Sequence, residues 1–175
     1  MGGKAKLGSS ATKVTRRAVE QVWMSNLVPK LEQFAIRAEL AGSYRRGVPF
    51  IGDMDVVIIP VQTIIEMTPD ARELFDKIDI LPGKRTSIVL ESNEGPVQCD
   101  FYIATLEDWG AQMLTWTGSA LMNQIMRGTA KKKGYKLNQY GLWNTQTNER
   151  IAGENENEIF DKIGMRRVAP EERNK

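Results

Sequence analysis

Two aspartates one residue apart are the first feature of this sequence that could carry out chemistry. Asp53 and Asp55 lie in the stretch GDMDVVIIP, at the start of an apolar run that predicts a buried β-strand. Side chains alternate along a strand, so both carboxylates project from the same face. Carboxylates this close repel each other and are costly to desolvate unless a cation lies between them. The pair therefore indicates a cation site.

A third carboxylate, Asp100, lies in a second predicted strand, VQCDFYIA (97–104). Its neighbours in the strand are apolar, so Asp100 projects from the polar face together with Gln98 and Tyr102. If the two strands pair side by side, the three carboxylates converge. Oxygen-only ligands favour Mg²⁺ or Mn²⁺ over zinc or copper, and two such ions about 3.5–4 Å apart serve in-line phosphoryl transfer. A D-x-D pair alone more often merely ends a strand, so the surrounding residues decide.

The residues upstream of the pair, AGSYRRGVPFIG (41–52), suit the phosphates of a nucleotide. Gly42 and Gly52 permit a close approach of the backbone, and Ser43 offers a hydroxyl. Either of the two arginines that follow can bind two phosphate oxygens at once. We therefore expect nucleotide phosphates and metal ions to share one site.

The composition excludes several other kinds of site. The 175 residues include no histidine and one cysteine, Cys99. Ser-His-Asp triads, Cys-His dyads, zinc sites built on histidine or four cysteines, and intrachain disulfides are therefore unavailable. No apolar run reaches the roughly 18–20 residues of a membrane span, so we expect no membrane partner. The single cysteine fits a reducing compartment, so we expect a cytoplasmic protein. The basic stretches TKVTRR (12–17) and AKKKGYK (130–136) suit a polyanion or, equally well, a solvated surface.

The spacing of apolar residues predicts a mixture of helices and strands, which is the α+β class. One helix is expected from Thr12 to about Glu39, kinked or divided at Pro29. The later segments predict a helix over 68–78, a hairpin of 86–92 with 97–104, helices over 106–116 and 118–133, a short hairpin from 135–144 and 148–153, and a helix over 156–164. Residues 1–11 are predicted to be a mobile tail, and a polar tail is expected after Gly164.

The motifs, in this order, resemble those of DNA polymerase family X, the group of polymerases beta, lambda and mu and terminal transferase. GSYRRGVPFIGDMD resembles the family's Gly-Ser…Arg…Gly-Asp-x-Asp motif, and QCDFY resembles its third-carboxylate strand. TWTGSALMNQIMR resembles its nucleotide-binding motif, while KLNQYGLW and EIFDKIGMRRVAPEER resemble its C-terminal end. The similarity extends from about Val14 to the C-terminus.

The resemblance implies a role for each matching residue. The catalytic metal ligands would be Asp53, Asp55 and Asp100, holding two Mg²⁺ ions that Mn²⁺ can replace, and Asp100 would also activate the primer 3′-hydroxyl. The nucleotide-binding residues would be Gly42, Ser43, Arg46, Gly52, Trp116, Thr117, Gly118 and Asn123. The DNA-binding residues would be Arg127, Lys131, Lys132, Lys133, Lys136 and Tyr140, with Arg166 and Arg167 as further cations. Considered singly, Trp116 is more typical of a core, Arg127 of a surface and Tyr140 of hairpin packing.

The implied fold is a nucleotidyltransferase palm, a mixed β-sheet with helices on one face, followed by a small C-terminal α/β nucleotide-binding subdomain. We expect the palm at 12–105 and the subdomain that binds the nucleotide and nascent base pair at 106–175, with the seam near Ala104–Asp108. Because few residues precede Gly42, we expect neither the lyase domain nor the helix-hairpin-helix subdomain of larger members. By analogy, this minimal size suggests a viral or mobile-element origin.

The implied function is a template-directed DNA polymerase that fills short gaps during repair, acting as a monomer on gapped or primer-template DNA with dNTPs. Thr115-Trp116 stands where many members carry Tyr-Phe, which predicts relaxed discrimination against rNTPs. Gln98 stands where many carry arginine, which predicts a weaker hold on the primer terminus. Two alternatives stay open: a template-independent nucleotidyltransferase acting on nucleic-acid ends or another acceptor, and a non-catalytic nucleic-acid-binding protein.

Overall fold

Helices and strands are interspersed along the described chain. The computed structural model describes residues 13–61 and 66–174, and the tail predicted for 1–11 lies outside these residues. The helices are α1 (Arg16–Val22), α2 (Val28–Leu31), α3 (Gly42–Arg45), α4 (Pro69–Lys77), α5 (Trp109–Thr117), α6 (Ala120–Lys132) and α7 (Glu156–Ile163). The strands are β1 (Val14–Thr15), β2 (Ala35–Leu40), β3 (Phe50–Ile51), β4 (Asp53–Pro60), β5 (Arg85–Ser92), β6 (Gly95–Ile103), β7 (Tyr135–Asn138), β8 (Gly141–Asn144) and β9 (Arg150–Ala152).

A four-stranded mixed sheet with the order β2-β4-β6-β5 organises the N-terminal part. β4 and β6 are parallel, with Asp55 opposite Asp100, whereas the other neighbouring strands are antiparallel. The parallel pair needs a long connection, which α4 and β5 supply. The predicted β5–β6 hairpin is present, and α4 begins after Thr68, whose hydroxyl accepts a hydrogen bond from the Ala71 amide as the sequence indicates.

Helices from the two parts of the chain lie on the two faces of this sheet: α1, α2 and α4 on one face, and α5, which follows β6, on the other. Alternate residues of β4 pack with side chains of α1, α2 and α4: Met54, Val56 and Ile58. On the opposite face, Val57 and Ile59 pack with Trp109 and Met113 of α5. The second face is apolar in the later half of β4, and α5 covers that half. The aspartates occupy the remaining N-terminal half.

Residues 35–40 form the strand β2, so the helix expected from Thr12 to Glu39 is wrong over its last part. β2 pairs with β4, and Ala38 lies opposite Ile58. The helical part ends at Leu31 and widens into a π-helical segment, Trp23–Leu27, just before Pro29. Proline lacks an N–H group and crowds the preceding turn, which accounts for the wider turn there. Pairing with β4 satisfies the backbone of β2 and outweighs the helical spacing of its first residues.

The C-terminal part has its own core, formed by α5, α6, α7 and the three-stranded sheet β7-β8-β9. The segments expected to form one short hairpin therefore give three strands. α7 ends at Gly164, which adopts the left-handed conformation at φ 68°. The expected polar tail is wrong in part, because Pro170–Asn174 forms a 3-10 helix whose Arg173 is buried in an ion pair with Glu156.

Helix α5 connects the two cores. β6 ends at Ile103 and α5 begins at Trp109, which brackets the region where the seam was expected. One side of α5 packs on the four-stranded sheet, and other residues of the same helix belong to the C-terminal core. Within the described residues, no helix combines the length and the apolar character that a membrane crossing requires.

Candidate active site

Three carboxylates meet where β4 and β6 run side by side. Asp53, Asp55 and Asp100 each offer an oxygen atom, and these atoms lie within 4.8 Å of one another. They come together because the two strands are parallel and in register and because residues two apart on a strand share a face. The structure thus gathers the three carboxylates to which the sequence pointed.

The electrostatics of this trio favour a bound cation. Asp53 is exposed, Asp55 is half-buried and Asp100 is buried. Burial, and then the negative charge of Asp53, raises the pKa of Asp55 to about 7. Burial, and then Asp100, also raises the pKa of Asp53. Both effects reflect the cost of gathering like charges, which a divalent cation would offset, and carboxylate oxygens are donors that fit Mg²⁺ or Mn²⁺.

Three donors hold the buried carboxylate of Asp100. Arg85 of β5 forms an ion pair with Oδ2, while Ser87 and Gln98 donate hydrogen bonds to Oδ1. Ser87 lies directly opposite Asp100 in the β5–β6 hairpin. Sequence reasoning missed Arg85 and Ser87, although counting back from the hairpin turn would have placed Ser87 opposite Asp100. These contacts fix the orientation of the most buried member of the trio.

Tyr102 connects the trio to α5. Its hydroxyl donates a hydrogen bond to Asp55 Oδ1 at 3.1 Å. Its ring stacks on Trp116, with ring centroids 3.8 Å apart and planes 15° from parallel. The Trp116 indole N–H in turn donates to Gln112 Oε1 at 2.6 Å. Trp116, a predicted nucleotide-binding residue, is therefore separated from the carboxylate trio by one aromatic ring.

The loop that precedes the trio lies against it. Gly42 has a φ of 55°, and a Cβ atom there would come within 1.8 Å of Asp55 Oδ2, so glycine is required. The Ser43 hydroxyl is buried and has no hydrogen-bond partner among residues 13–61 and 66–174. A buried polar atom without a partner is costly, which suits this one to a ligand oxygen. A Cβ atom at Gly52 would meet nothing within 4 Å, so its backbone is open to a ligand.

Arg46, the arginine expected to hold phosphates, already has protein partners. Its guanidinium donates to the carbonyl oxygen of Thr117 and, at 2.8 Å, to Oδ1 of Asn174. These bonds tie α3 both to the end of α5 and to the C-terminal 3-10 helix. A phosphate at this guanidinium would have to share these donors or replace one partner.

The turn between α5 and α6 gathers the other predicted nucleotide-binding residues. Thr117 is buried, and its hydroxyl accepts a hydrogen bond from Arg45 at 2.9 Å. A Cβ atom at Gly118 would lie 3.4 Å from Arg46 Nη1, so this turn faces the phosphate-binding candidates. The Asn123 side-chain amide donates to the Thr115 carbonyl oxygen at 2.8 Å, which anchors the first turn of α6.

Comparisons with known proteins bear directly on this site. The family model described as DNA polymerase beta thumb matches residues 112–174. "Repair DNA polymerase X" of African swine fever virus is 28% identical over 136 residues, which cover 75% of this chain and 78% of the viral protein. "DNA polymerase/3′-5′ exonuclease PolX" of Bacillus subtilis is 30% identical over 144 residues, which cover 81% of this chain and 25% of the bacterial protein. Together these matches support a family X polymerase.

A human relative matches a smaller part of this chain. "DNA-directed DNA/RNA polymerase mu" of Homo sapiens is 32% identical over 79 residues, which cover 45% of this chain and 16% of the human protein. The match to the thumb model begins inside α5 and ends within the C-terminal 3-10 helix. It therefore takes in most of the segment expected to contact the nucleotide and the nascent base pair.

The cations that the family X resemblance assigns to DNA lie on the surface of the C-terminal part. Five of them are exposed along α6 and the start of β7: Arg127, Lys131, Lys132, Lys133 and Lys136. Arg166 and Arg167 are exposed too, but they are paired with Glu172 at 3.5 Å and Asp161 at 2.6 Å. The α6 surface is therefore the better candidate for contact with a phosphate backbone.

Tyr140, the remaining DNA-binding candidate, packs against the N-terminal part of the chain. A Cβ atom at Gly83 would lie 2.6 Å from the Tyr140 hydroxyl, which shows how closely the tyrosine approaches this turn. Its side chain nevertheless stays 38% exposed. The residue thus combines the packing role that its hairpin position indicates with a surface that a ligand can still reach.

A partly buried ion cluster that sequence reasoning missed joins the two parts of the molecule. Arg45 of α3 binds Glu156 of α7 through two hydrogen bonds of 2.6 and 3.0 Å, and Arg173 binds the same carboxylate at 3.0 Å. Burial alone would raise the pKa of Glu156, but the two guanidinium groups lower it. Arg45 also reaches Thr117, so the cluster fixes α3 against the α5–α6 turn. Partners this far apart in the sequence leave no local signal.

Proposed function

We propose that this chain is a template-directed DNA polymerase that adds nucleotides to a primer 3′-hydroxyl by two-metal phosphoryl transfer and fills short gaps during DNA repair. The observation that carries the proposal is the convergence of Asp53, Asp55 and Asp100 beside the Gly42–Ser43 loop. The names of the viral, bacterial and human relatives, all DNA polymerases, support it. We further propose that residues 12–105 act as the catalytic palm and 106–175 as the nucleotide-binding part.

The three carboxylates would hold two Mg²⁺ ions, which when bound lower the pKa of the primer 3′-hydroxyl and neutralise the triphosphate. Asp100, on strand β6 of the β5–β6 hairpin, would orient the 3′-hydroxyl and accept its proton. Its donors Arg85 and Ser87 keep that carboxylate in one orientation. The new bond joins the 3′-oxygen to the α-phosphorus, the α–β bridging bond breaks, and pyrophosphate leaves. Positioning and charge neutralisation account for most of the acceleration in such reactions.

The nucleotide would lie between the loop before β4 and the α5–α6 turn. The Ser43 hydroxyl and the Gly52 backbone would donate to the β- and γ-phosphates, since the hydroxyl lacks a protein partner and the glycine backbone is open. Arg46 would add a guanidinium that already faces this turn. Trp116 would line the sugar pocket, and Asn123 would contact the base edge from the start of α6.

The DNA backbone would bind along α6. Arg127 would contact the template strand, and the lysines at the end of the helix would neutralise phosphates. Each such contact releases condensed counterions, so binding should weaken steeply as the salt concentration rises. The lysine run and Arg127 favour a duplex over a small-molecule acceptor, because a small acceptor needs neither.

Primer extension on a duplex with a one-nucleotide gap tests this proposal. With Mg²⁺ and each dNTP supplied separately, we expect extension only by the nucleotide complementary to the template base. Asp100→Ala should lower the rate about a hundredfold or more, whereas Asp79→Asn, at an exposed aspartate outside the site, serves as the matched control. Template-independent tailing would support the alternative of a nucleotidyltransferase acting on nucleic-acid ends, and binding without extension would support a non-catalytic protein.

We also propose relaxed discrimination against ribonucleotides, because Thr115-Trp116 replaces the Tyr-Phe pair of many members. The name of the human relative, a DNA/RNA polymerase, supports this idea by analogy. Insertion of UTP and dTTP opposite adenine should be compared in parallel on the same gapped duplex. A preference for dTTP above about a thousandfold, roughly 4 kcal/mol at 1.36 kcal/mol per factor of ten, would rule it out.

A further inference from the structure

Tyr102 carries a hydroxyl that its packing role does not need. The ring is 5% exposed and stacks on Trp116, an interaction that phenylalanine would make equally well. The hydroxyl donates to Asp55 Oδ1, while Asp55 Oδ2 lies against Gly42. One carboxylate oxygen of Asp55 is thus hydrogen-bonded to a phenol, and the other lies against the Gly42 backbone.

A fixed carboxylate is useful at this position because the aspartate side chain does not orient itself. The terminal torsion of aspartate is broad and has little intrinsic preference. A carboxylate oxygen can accept one hydrogen bond and still offer a second lone pair to an ion. Partners of this kind commonly orient metal ligands, and their loss weakens metal binding about 10–100-fold.

Tyr102 itself is held in place from α5. Trp116 covers one face of the tyrosine ring, and its indole N–H is fixed by Gln112 Oε1 at 2.6 Å. Gln112 is 1% exposed, so this acceptor is rigidly packed. A continuous series of side-chain contacts therefore runs from α5 through Gln112, Trp116 and Tyr102 to the carboxylate on β4.

We infer that Tyr102 is a positioning residue for Asp55, and that Gln112, by fixing Trp116 against its ring, keeps the Tyr102 hydroxyl aimed at the carboxylate. The inference rests on the proposed function, in which Asp55 is a metal ligand. It goes beyond that function by assigning the orientation of a metal ligand to side chains that touch neither metal nor phosphate.

Direct metal binding to the full-length chain tests the inference without relying on polymerase activity. Mn²⁺ binding at pH 7.5 can be followed by the electron paramagnetic resonance signal of the free aqua ion. Tyr102→Phe keeps the aromatic stack and removes the hydroxyl, so we expect an Mn²⁺ dissociation constant about tenfold higher than that of the wild type. Tyr44→Phe is the matched control, because it removes a hydroxyl that donates to Glu20, outside the trio, and its constant should stay within about twofold.

A double-mutant cycle tests the path through α5. Gln112→Met keeps the side-chain length and removes the acceptor of the Trp116 indole, so it should weaken Mn²⁺ binding about threefold in the wild-type background. In the Tyr102→Phe background the same change should have no further effect, since the hydroxyl it acts through is gone. Equal effects in both backgrounds would overturn the path from Gln112.

The outcomes separate this inference from the proposed function. Equal or tighter Mn²⁺ binding by Tyr102→Phe, with a normal melting curve, would overturn the role of Tyr102 alone. Binding of Mn²⁺ by a wild type that fails to extend primers would overturn the polymerase proposal, while the comparison of variants would still decide the role of Tyr102. An absence of Mn²⁺ binding by the wild type would overturn both.

Discussion

Replacing Asp55 by asparagine is expected to stabilise the chain at pH 8 in the presence of a chelator, while it abolishes primer extension. Asparagine keeps the oxygen that accepts the Tyr102 hydrogen bond and nearly the same shape. The change therefore removes one negative charge from the trio and alters little else. The two effects have opposite signs because the same charge that repels its neighbours is needed to bind the ions.

The size of the stability gain follows from the pKa of Asp55. Its carboxyl has a pKa of about 7 in the folded chain against an ordinary value of 3.8. Between these values the folded chain holds a proton that the unfolded chain has released, so stability falls as the pH rises from about 4 to about 7. A tenfold difference in proton affinity corresponds to about 1.4 kcal/mol. Allowing for the solvent that reaches this half-buried group, the cost at pH 8 is about 2–4 kcal/mol.

Urea unfolding at pH 5 and at pH 8, with a chelator present, measures this cost. At pH 5 the folded-state carboxyl is still protonated while the unfolded one has already ionised, so roughly a third of the cost is present there. Asp55→Asn should therefore gain about 2 kcal/mol more at pH 8 than at pH 5. For a chain of this length, a 2 kcal/mol gain raises the melting temperature by roughly 4–8 °C. Addition of Mg²⁺ at pH 8 should stabilise the wild type and leave the variant nearly unchanged, because the ion binds the folded carboxylates.

Asp79→Asn is the matched control for this experiment. Asp79 is exposed, and its Oδ1 accepts a hydrogen bond from the Leu81 amide that asparagine can keep. We expect its stability to stay within about 0.5 kcal/mol of the wild type at both pH values. If the wild type and Asp55→Asn lost stability in parallel between pH 5 and pH 8, the argument from repulsion within the trio would be refuted.

Three further perturbations test other parts of the structure. Glu156→Gln leaves the buried Arg173 and the half-buried Arg45 without a counter-charge and should cost about 3 kcal/mol in urea unfolding. A loss under about 1 kcal/mol would contradict the role of the ion cluster. Gly42→Ala pushes a methyl group into Asp55 and should lower the rate of primer extension about a hundredfold or more. Gly128→Ala adds a methyl group in open space on α6 and should instead raise the free energy of unfolding by about 0.5–1 kcal/mol. Lys131, Lys132 and Lys133 can be changed together to glutamine. This change should reduce the slope of log affinity for duplex DNA against log salt concentration by about 2–3. An unchanged slope would place the DNA elsewhere.

Local periodicity was sufficient to predict the strands that carry the carboxylates. The alternation in β4 places Asp53 and Asp55 on one face of that strand, and the alternation in β6 places Asp100 on its polar face. The turn between β5 and β6 predicts their hairpin. Gly164 and Thr68 mark helix boundaries for equally local reasons, since each satisfies backbone groups within one turn.

Local patterns failed where a segment's partner is distant. Ala35 continues the helical spacing of the residues before it, yet residues 35–40 form β2 because the edge of β4 offers backbone hydrogen bonds along a strand. No window of the sequence contains both members of such a pair. The docking of α5 on the second face of the sheet was equally invisible to local patterns, because the position of α5 depends on which apolar surface remains uncovered.

The sequence by itself determined which residues could bind metal and phosphate, because residue type and strand alternation are properties of short segments. The tertiary structure decided what holds those residues: Arg85 and Ser87 on Asp100, Tyr102 on Asp55, and Glu156 between Arg45 and Arg173. These contacts join positions up to 111 residues apart. They exist only after the chain has packed, because burial brings the charges together and makes each unpaired polar group costly.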